Sequence, residues 1–221
     1  MNNLIKLFYF PTFLLLPLSI FGQHQKNIEL PQLFKNGELR ALNREMQLVS
    51  NDSFSYLQVL ESDKEGIIWL PLKEFREGTI EVVMRGKDVL QRSFIGLVFN
   101  GLNDSIYDAI YCRPFNFFAK DSVRRIHAIQ YISHPVYTWE KLRKDRNAVF
   151  EKEIINPPDP NDWFTMKLLI DDITIKAYIN NAKLPSLIVE KLNIRKTGKI
   201  GLFTGAGSGA DFKKVKINYK Q

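Results

Sequence analysis

The side chains best suited to binding a ligand are concentrated between residues 104 and 143. Aromatic rings alternate there with planar side chains that form several hydrogen bonds, namely Tyr107, Tyr111, Tyr131, Tyr137 and Trp139 among Arg113, His127, Gln130, His134 and Arg143. Such rings stack on the CH faces of a flat, hydroxyl-rich molecule such as a sugar, while guanidinium, amide and imidazole groups bond to its hydroxyls. The stretch predicts a class of ligand and fixes no reaction.

Two predicted strands carry most of these side chains. In residues 106–113, Tyr107, Tyr111 and Arg113 share one face because successive strand side chains point to opposite sides. In residues 125–132, His127 and Tyr131 share a face in the same way. These five side chains are predicted to form a substrate-binding face. An ordinary half-exposed sheet face, with tyrosines covering its edge, is the alternative.

A short helix or turn predicted at residues 138–146 adds Arg143 to the binding set. Trp139 and Arg143 are four residues apart, so they face the same way on a helix. The pair could cover a ligand groove or pack the helix onto the domain. Arg113 and Arg143 suit the hydroxyls or an acidic substituent of a sugar.

Candidates for catalysis are few. His127 is the evident proton-transfer group near neutral pH. Residues 61–65 read ESDKE, a spacing that would place three carboxylates on one strand face. The residues between the acids are serine and lysine, and a glycine follows, which predicts a turn. Cys112 shares a face with two isoleucines and is expected to be a buried, inert thiol.

The sequence indicates no cofactor. The three histidines are far apart, and no His, Cys or Asp cluster has transition-metal spacing. A Ca²⁺ ion bound by loop oxygens of Asn103, Asp104 and Asp108 stays open as an alternative, because such sites need no fixed motif.

The remaining pattern predicts an all-β fold with one short helix or helical turn. Short alternating or apolar segments recur between turn residues, at positions 55–60, 67–70, 79–85, 93–99, 106–113, 125–132, 163–170, 173–180, 186–192, 199–203 and 212–219. Many short strands at this spacing are typical of a two-sheet antiparallel jelly-roll sandwich.

The first 22 residues have the layout of an export signal. Lys6 is their one charged side chain, and the apolar run at residues 7–21 contains two prolines and ends at Gly22. This run is shorter than the ~20 apolar residues of a membrane span. We therefore predict a signal peptide at residues 1–22 and one domain at residues 23–221, exported to the periplasm or the cell exterior. The net charge of +7 is spread among acids, which favours solubility over nucleic-acid binding.

Several phrases in the chain resemble the concanavalin A-like lectin/glucanase superfamily and, more narrowly, secreted bacterial domains of the 3-keto-disaccharide hydrolase family. They lie at residues 75–81 (FREGTIE), 94–99 (FIGLVF), 107–117 (YDAIYCRPFNF), 128–131 (AIQY), 162–168 (DWFTMKL), 177–180 (AYIN) and 198–212 (GKIGLFTGAGSGADF). The resemblance implies a jelly roll that binds glycans on its concave sheet. It assigns no catalytic residue.

The combined expectation is an exported domain that binds carbohydrate or polysaccharide, with no membrane span after signal removal. This binding could serve glycoside hydrolysis. A true glycoside hydrolase or lyase acting on modified sugars is one alternative. A structural or adhesive module that binds a protein partner is the other.

The signal prediction can be tested in a Gram-negative host that expresses the chain with its own leader. We expect the protein outside the cytoplasm and shortened near Gly22 and Gln23, because signal peptidase cleaves after small residues at the end of the apolar run. Intact-mass spectrometry measures this. Exported protein that still carries residues 1–22 would contradict the prediction.

Overall fold

A computed structural model describes residues 24–51 and 54–220; the predicted leader lies outside this range. The strands found there are β1 (His24–Glu29), β2 (Arg40–Leu42), β3 (Met46–Ser50), β4 (Ser55–Val59), β5 (Gly66–Trp69), β6 (Gly78–Arg85), β7 (Ile95–Gly101), β8 (Tyr107–Cys112), β9 (Ile129–His134), β10 (Glu151–Lys152), β11 (Phe164–Ile170), β12 (Thr174–Ile179), β13 (Leu187–Glu190), β14 (Lys199–Thr204) and β15 (Ala210–Tyr219). The helices are α1 (Leu30–Lys35), α2 (Ser122–Ile126) and α3 (Trp139–Asp145), with a 3₁₀ turn at Pro114–Asn116. None of these helices is long and apolar enough to cross a bilayer.

The strands form two antiparallel sheets. The eight-stranded sheet has the order β13-β12-β11-β6-β15-β4-β3, and β1 pairs with the far end of β15. The seven-stranded sheet has the order β10-β9-β8-β7-β14-β5-β2. The predicted two-sheet jelly-roll sandwich is therefore confirmed, and the predicted strands agree with β4–β8 and β11–β15 to within a few residues.

The two sheets enclose one cluster of buried apolar side chains. On β6 the alternation is regular, with Ile80, Val82 and Met84 fully buried and their neighbours partly exposed. On β7 and β8 every residue is buried, so both faces of these two strands are covered. Cys112 lies in this interior as a free thiol, and burial raises its pKa, as expected for an inert side chain.

The predicted strand at residues 125–132 is wrong in its first half. Asp121 accepts a hydrogen bond from the backbone N–H of Val123 at 2.8 Å and caps α2, so residues 122–126 are helical. The strand β9 begins only at Ile129. His127 consequently belongs to the connection between α2 and β9, and its side chain does not follow the alternation of that strand.

A buried polar cluster closes one end of the interior. Asp108 is fully buried on the inner face of β8, where it accepts hydrogen bonds from Asn100 at 2.8 Å, Asn193 at 2.6 Å and Arg195 at 2.7 Å. Asn193 also donates to the Ser133 hydroxyl at 2.9 Å. These bonds supply the partners that a carboxylate on an apolar face requires, and they tie the segment before β14 to the seven-stranded sheet.

Replacement of a core residue on β8 tests the assignment of its inner face. Ile110 is fully buried, so Ile110→Ala should lower the free energy of unfolding by about 2–5 kcal/mol through the cavity it leaves. Ile194 is 97% exposed, and Ile194→Ala serves as the matched control, with a change of about 0.5 kcal/mol or less. Urea unfolding of both variants measures the two values. Equal effects would contradict the assignment.

Candidate functional site

A cleft of about 630 Å³ opens on the outer side of the seven-stranded sheet, beyond the end of β8. Its lining includes three arginines, Arg113, Arg124 and Arg143, together with Tyr111, His127 and Trp139. We call it the arginine cleft. The volume lies in the range of small-molecule sites, ~300–1,000 Å³.

The floor of the cleft is built around a glycine. Tyr111 on β8 and Phe203 on β14 are the direct neighbours of Gly96 on β7, and their ring centroids lie 5.1 Å apart. A Cβ atom on Gly96 would come within 2.1 Å of the Ile110 carbonyl oxygen. The missing side chain therefore allows the close approach of β7 and β8 and leaves room for the two rings.

Arg113 lies at the inner wall of the cleft and is only 4% exposed. Its guanidinium donates to the Tyr111 hydroxyl at 2.9 Å, to the His127 backbone carbonyl at 2.8 Å and, in a very short contact, to the side-chain oxygen of Gln130. It also stacks over the Tyr111 ring at 4.9 Å. Burial lowers the pKa of Arg113, and these acceptors offset the cost of keeping the cation away from water.

Glu151 gathers the other charged groups of this site. Its carboxylate is 2% exposed and accepts two hydrogen bonds from Arg143, at 3.1 and 2.9 Å. The same carboxylate lies 2.8 Å from His127 Nδ1 and 3.8 Å from Arg113 Nη1. Glu151 sits on β10 opposite Gln130, and sequence reasoning missed it because no local pattern marks a lone acid in a two-residue strand.

His127 has a direct path to the cleft. Its Nδ1 atom is buried next to the Glu151 carboxylate. The side chain as a whole is 13% exposed, and it forms part of the cleft wall. Burial is the main cause that lowers the pKa of His127; the positive charges of Arg143 and Arg113 act in the same direction, and Glu151 opposes them. The lowered pKa favours the neutral imidazole, which can accept a proton.

The predicted binding residues separate into three locations. The structure brings Tyr111, Arg113, His127 and Arg143 to the arginine cleft. It places Tyr107 four residues away along β8, where it lines a different cleft. Tyr131 lies on the opposite face of β9, paired with Ile110 and stacked on Phe99 in the interior, so it is not part of the site. Tyr131 and His127 do not share a face because α2 precedes β9, so strand alternation does not extend from residue 131 back to residue 127.

The tyrosines are not available as stacking surfaces. Tyr107 and Tyr111 are each 3% exposed, because their rings pack against His134 and Phe203 respectively. The exposed ring of the arginine cleft belongs to Trp139, with 37% exposure. Arg143 lies over this ring at 5.0 Å, so the predicted helix and the shared face of Trp139 and Arg143 are confirmed.

The acidic stretch at residues 61–65 is a loop between β4 and β5, which confirms the predicted turn. Glu61 pairs with Lys87, and Arg92 lies 3.7 Å from it. Glu65 has a different environment. It accepts a hydrogen bond from the Tyr107 hydroxyl at 3.2 Å and lines the arginine cleft, a position that the sequence did not indicate.

The candidate calcium ligands have other partners. Asp108 is buried in the cluster described above, and Asp104 binds Arg40 at 2.6 Å and the Trp69 indole N–H at 2.7 Å. The Asn103 side-chain oxygen accepts from the backbone N–H groups of Ser105 and Ile106. Within residues 24–51 and 54–220, no group of three or more His, Cys, Asp or Glu side chains is arranged to hold a metal ion.

Comparison with solved structures agrees with the fold. A protein of unknown function with a galectin-like fold from Bacillus subtilis has 16% identity and a TM-score of 0.58, over 88% of this chain and 94% of the other. The CBM66 carbohydrate-binding module from Bacillus subtilis has 15% identity and a TM-score of 0.56, over 81% and 94%. The exoplasmic/lumenal domain of VIP36, in its form with Ca²⁺ and Man3GlcNAc bound, has 13% identity and a TM-score of 0.55, over 90% and 91%.

At such identities these likenesses extend to the fold alone, a jelly-roll sandwich. No protein-family model and no curated protein matches the sequence. The narrower resemblance to the 3-keto-disaccharide hydrolase family stays a prediction.

The lowered pKa of His127 predicts a pH-dependent stability. As the pH falls below about 6.5, the imidazole binds a proton in the unfolded chain before it does so in the folded one, so the free energy of unfolding falls. His127→Asn should lose less stability than the wild type between about pH 7.5 and about pH 5. Urea unfolding at both pH values measures the difference. If the variant instead loses more stability than the wild type at acidic pH, the attraction of Glu151 outweighs burial in setting the pKa of His127.

Proposed function

We propose that this chain is an exported carbohydrate-binding domain whose arginine cleft holds an acidic sugar. The observation that carries the proposal is the lining of the cleft, where Arg113, Arg124 and Arg143 surround a concave surface beside the exposed ring of Trp139. Guanidinium groups bind carboxylate and sulfate oxygens in a planar, two-point geometry, and an indole ring stacks on the CH face of a sugar.

The charges of the cleft support an anionic ligand. Of the three arginines, only Arg113 and Arg143 contact the buried carboxylate of Glu151, and Arg124 donates to Asn116 and to the Phe115 carbonyl. The cations exceed the two nearby acids, Glu65 and Glu151, by one. The fold supports glycan binding in general, since one similar structure is a carbohydrate-binding module and another is described with Man3GlcNAc bound.

The alternative of a protein-binding module receives support from one finding. The tyrosines on the outer face of β8 are buried, which is one of the two features that would favour such a module. The open arginine cleft favours the glycan-binding proposal instead, because mainly apolar concave sites with a few convergent polar groups are typical of small-ligand binding.

Removal of the exposed indole tests the glycan-binding proposal. The first step is a glycan array on residues 23–221, which should favour carboxylated or sulfated glycans over neutral ones. Trp139→Ala should then weaken binding of a hit by roughly tenfold or more in calorimetric titration, because a stacking surface is lost. Phe54→Ala removes a ring of similar exposure from the eight-stranded side and should leave affinity unchanged.

Two results would contradict the proposal. One is an array without acidic hits, and the other is an equal loss of affinity in both variants. The salt dependence gives a further check, since binding through the partly exposed Arg124 and Arg143 weakens as ionic strength rises.

A second candidate function is cleavage of the bound glycan. The specific observation is the position of His127 at the cleft wall, where burial lowers the pKa of the imidazole and Glu151 lies 2.8 Å from its Nδ1. In an elimination, the imidazole would take the proton α to the carboxylate of the sugar. The C–H electron pair would form a C=C bond, and the glycosidic C–O bond would break, its oxygen taking a proton from water.

The glycan that binds also tests this second candidate. Incubation should produce unsaturated sugars that absorb in the ultraviolet, and His127→Gln should abolish the product while binding persists. Reducing ends without unsaturation would indicate hydrolysis. Absence of both products would leave binding as the activity.

A further inference from the structure

A second cleft, of about 460 Å³, lies at the other end of the outer face of β8. Tyr107 on β8 and His134 on β9 are direct partners across the strands, and their rings stack in parallel with centroids 4.9 Å apart. The rest of the polar lining is formed by Asn43, Lys64, Glu65, Asp104 and Ser105. We call it the tyrosine cleft. Its volume is also that of a small-ligand site.

The two clefts share Glu65, which lines both of them. Tyr111 at the arginine cleft and Tyr107 at the tyrosine cleft are four residues apart on one strand face, a separation of about 13 Å at ~3.3 Å per residue. Glu65 binds the Tyr107 hydroxyl, and its negative charge adds to the burial that raises the pKa of both tyrosines. The carboxylate therefore stands between the clefts.

The segment that carries Glu65 is held firmly. Arg44 is buried and donates to the backbone carbonyls of Asn43 at 2.7 Å and Lys64 at 2.6 Å. The same guanidinium donates to the carbonyls of Thr204 at 2.9 Å and Gly205 at 2.8 Å, and Gly205 lines the arginine cleft. The Arg44 side chain thus fixes the position of Glu65 relative to the wall of the arginine cleft.

The two clefts differ in charge. The arginine cleft carries three guanidinium groups. The tyrosine cleft pairs one cation, Lys64, with the acids Glu65 and Asp104, and adds the exposed hydroxyl-bearing side chain of Ser105. Asp104 is already neutralised by Arg40. The tyrosine cleft therefore suits the hydroxyls of a neutral sugar and offers no attraction for a second anion.

We propose that both clefts bind one oligosaccharide, with an acidic sugar in the arginine cleft and neutral sugars continuing past Glu65 into the tyrosine cleft. The proposal rests on the proposed function of the arginine cleft and extends it from a single sugar to a chain. The ligand class is then an acidic oligosaccharide with one charged residue followed by uncharged ones.

A series of defined ligands tests the extension. The probes are glucuronic acid alone and glucuronic acid linked to one, two and three xylose residues, titrated calorimetrically into residues 23–221. The longest probe should bind at least about tenfold more tightly than glucuronic acid, because the added sugars gain hydrogen bonds in the tyrosine cleft. Ser105→Trp should fill that cleft and remove the gain, and it should leave the affinity for glucuronic acid unchanged.

Ser50→Trp is the matched control, because Ser50 is exposed on the eight-stranded sheet, and it should bind the whole series as the wild type does. Equal affinities along the series, or a gain in affinity that persists in Ser105→Trp, would show that the tyrosine cleft does not bind the added sugars. The proposed binding of an acidic sugar in the arginine cleft would be unaffected. If no member binds, or if xylotriose binds as tightly as the acidic probes, the proposed function itself fails.

Discussion

The site depends on one buried carboxylate. Glu151 is nearly inaccessible to water, and it contacts Arg143, His127 and Arg113 at once. Two guanidinium groups this close together repel each other, and each is costly to remove from water, so neither would stay beside the other without a shared counter-ion. The carboxylate also links elements that are not neighbours in sequence: helix α3, the connection before β9 and the end of β8 meet at its two oxygens. Glu151 thus contacts three residues of the cleft lining, Arg113, His127 and Arg143.

The covering of the outer sheet face determines which side chains can act. Every residue of β8 is buried, so the side chains that project outward from the strand form a floor, and the more exposed side chains of the cleft come from the surrounding helices and loops. Trp139 and Arg143 come from α3, Arg124 from α2 and Glu65 from the loop before β5. The sheet provides a rigid base, and the helices and loops around it carry the charged and aromatic side chains of the cleft. This division is common in folds in which a rigid sandwich presents variable loops.

The sequence predicts what depends on local periodicity and misses what depends on tertiary contact. Alternation such as that of Ile80, Val82 and Met84 predicts the strands, and the four-residue spacing of Trp139 and Arg143 predicts their common face. Tyr131 is misplaced because the helical turn at residues 122–126 interrupts the alternation, although the Asp121-Ser122 pair is a readable helix-capping signal. Glu151 and the burial of Tyr111 could not be inferred, because the groups that define both environments lie far away along the chain.

The polar cluster around Asp108 constrains how the chain can change over evolutionary time. Asn193 and Arg195 both donate to this carboxylate, while Ile194 between them is almost fully exposed. The segment is therefore located by hydrogen bonds and an ion pair, with no contribution from packing at its centre. Position 194 can drift among residue types at little cost, whereas loss of any one partner strands a buried charge or amide. Related sequences should vary at position 194 and replace the residues at positions 108, 193 and 195 only together.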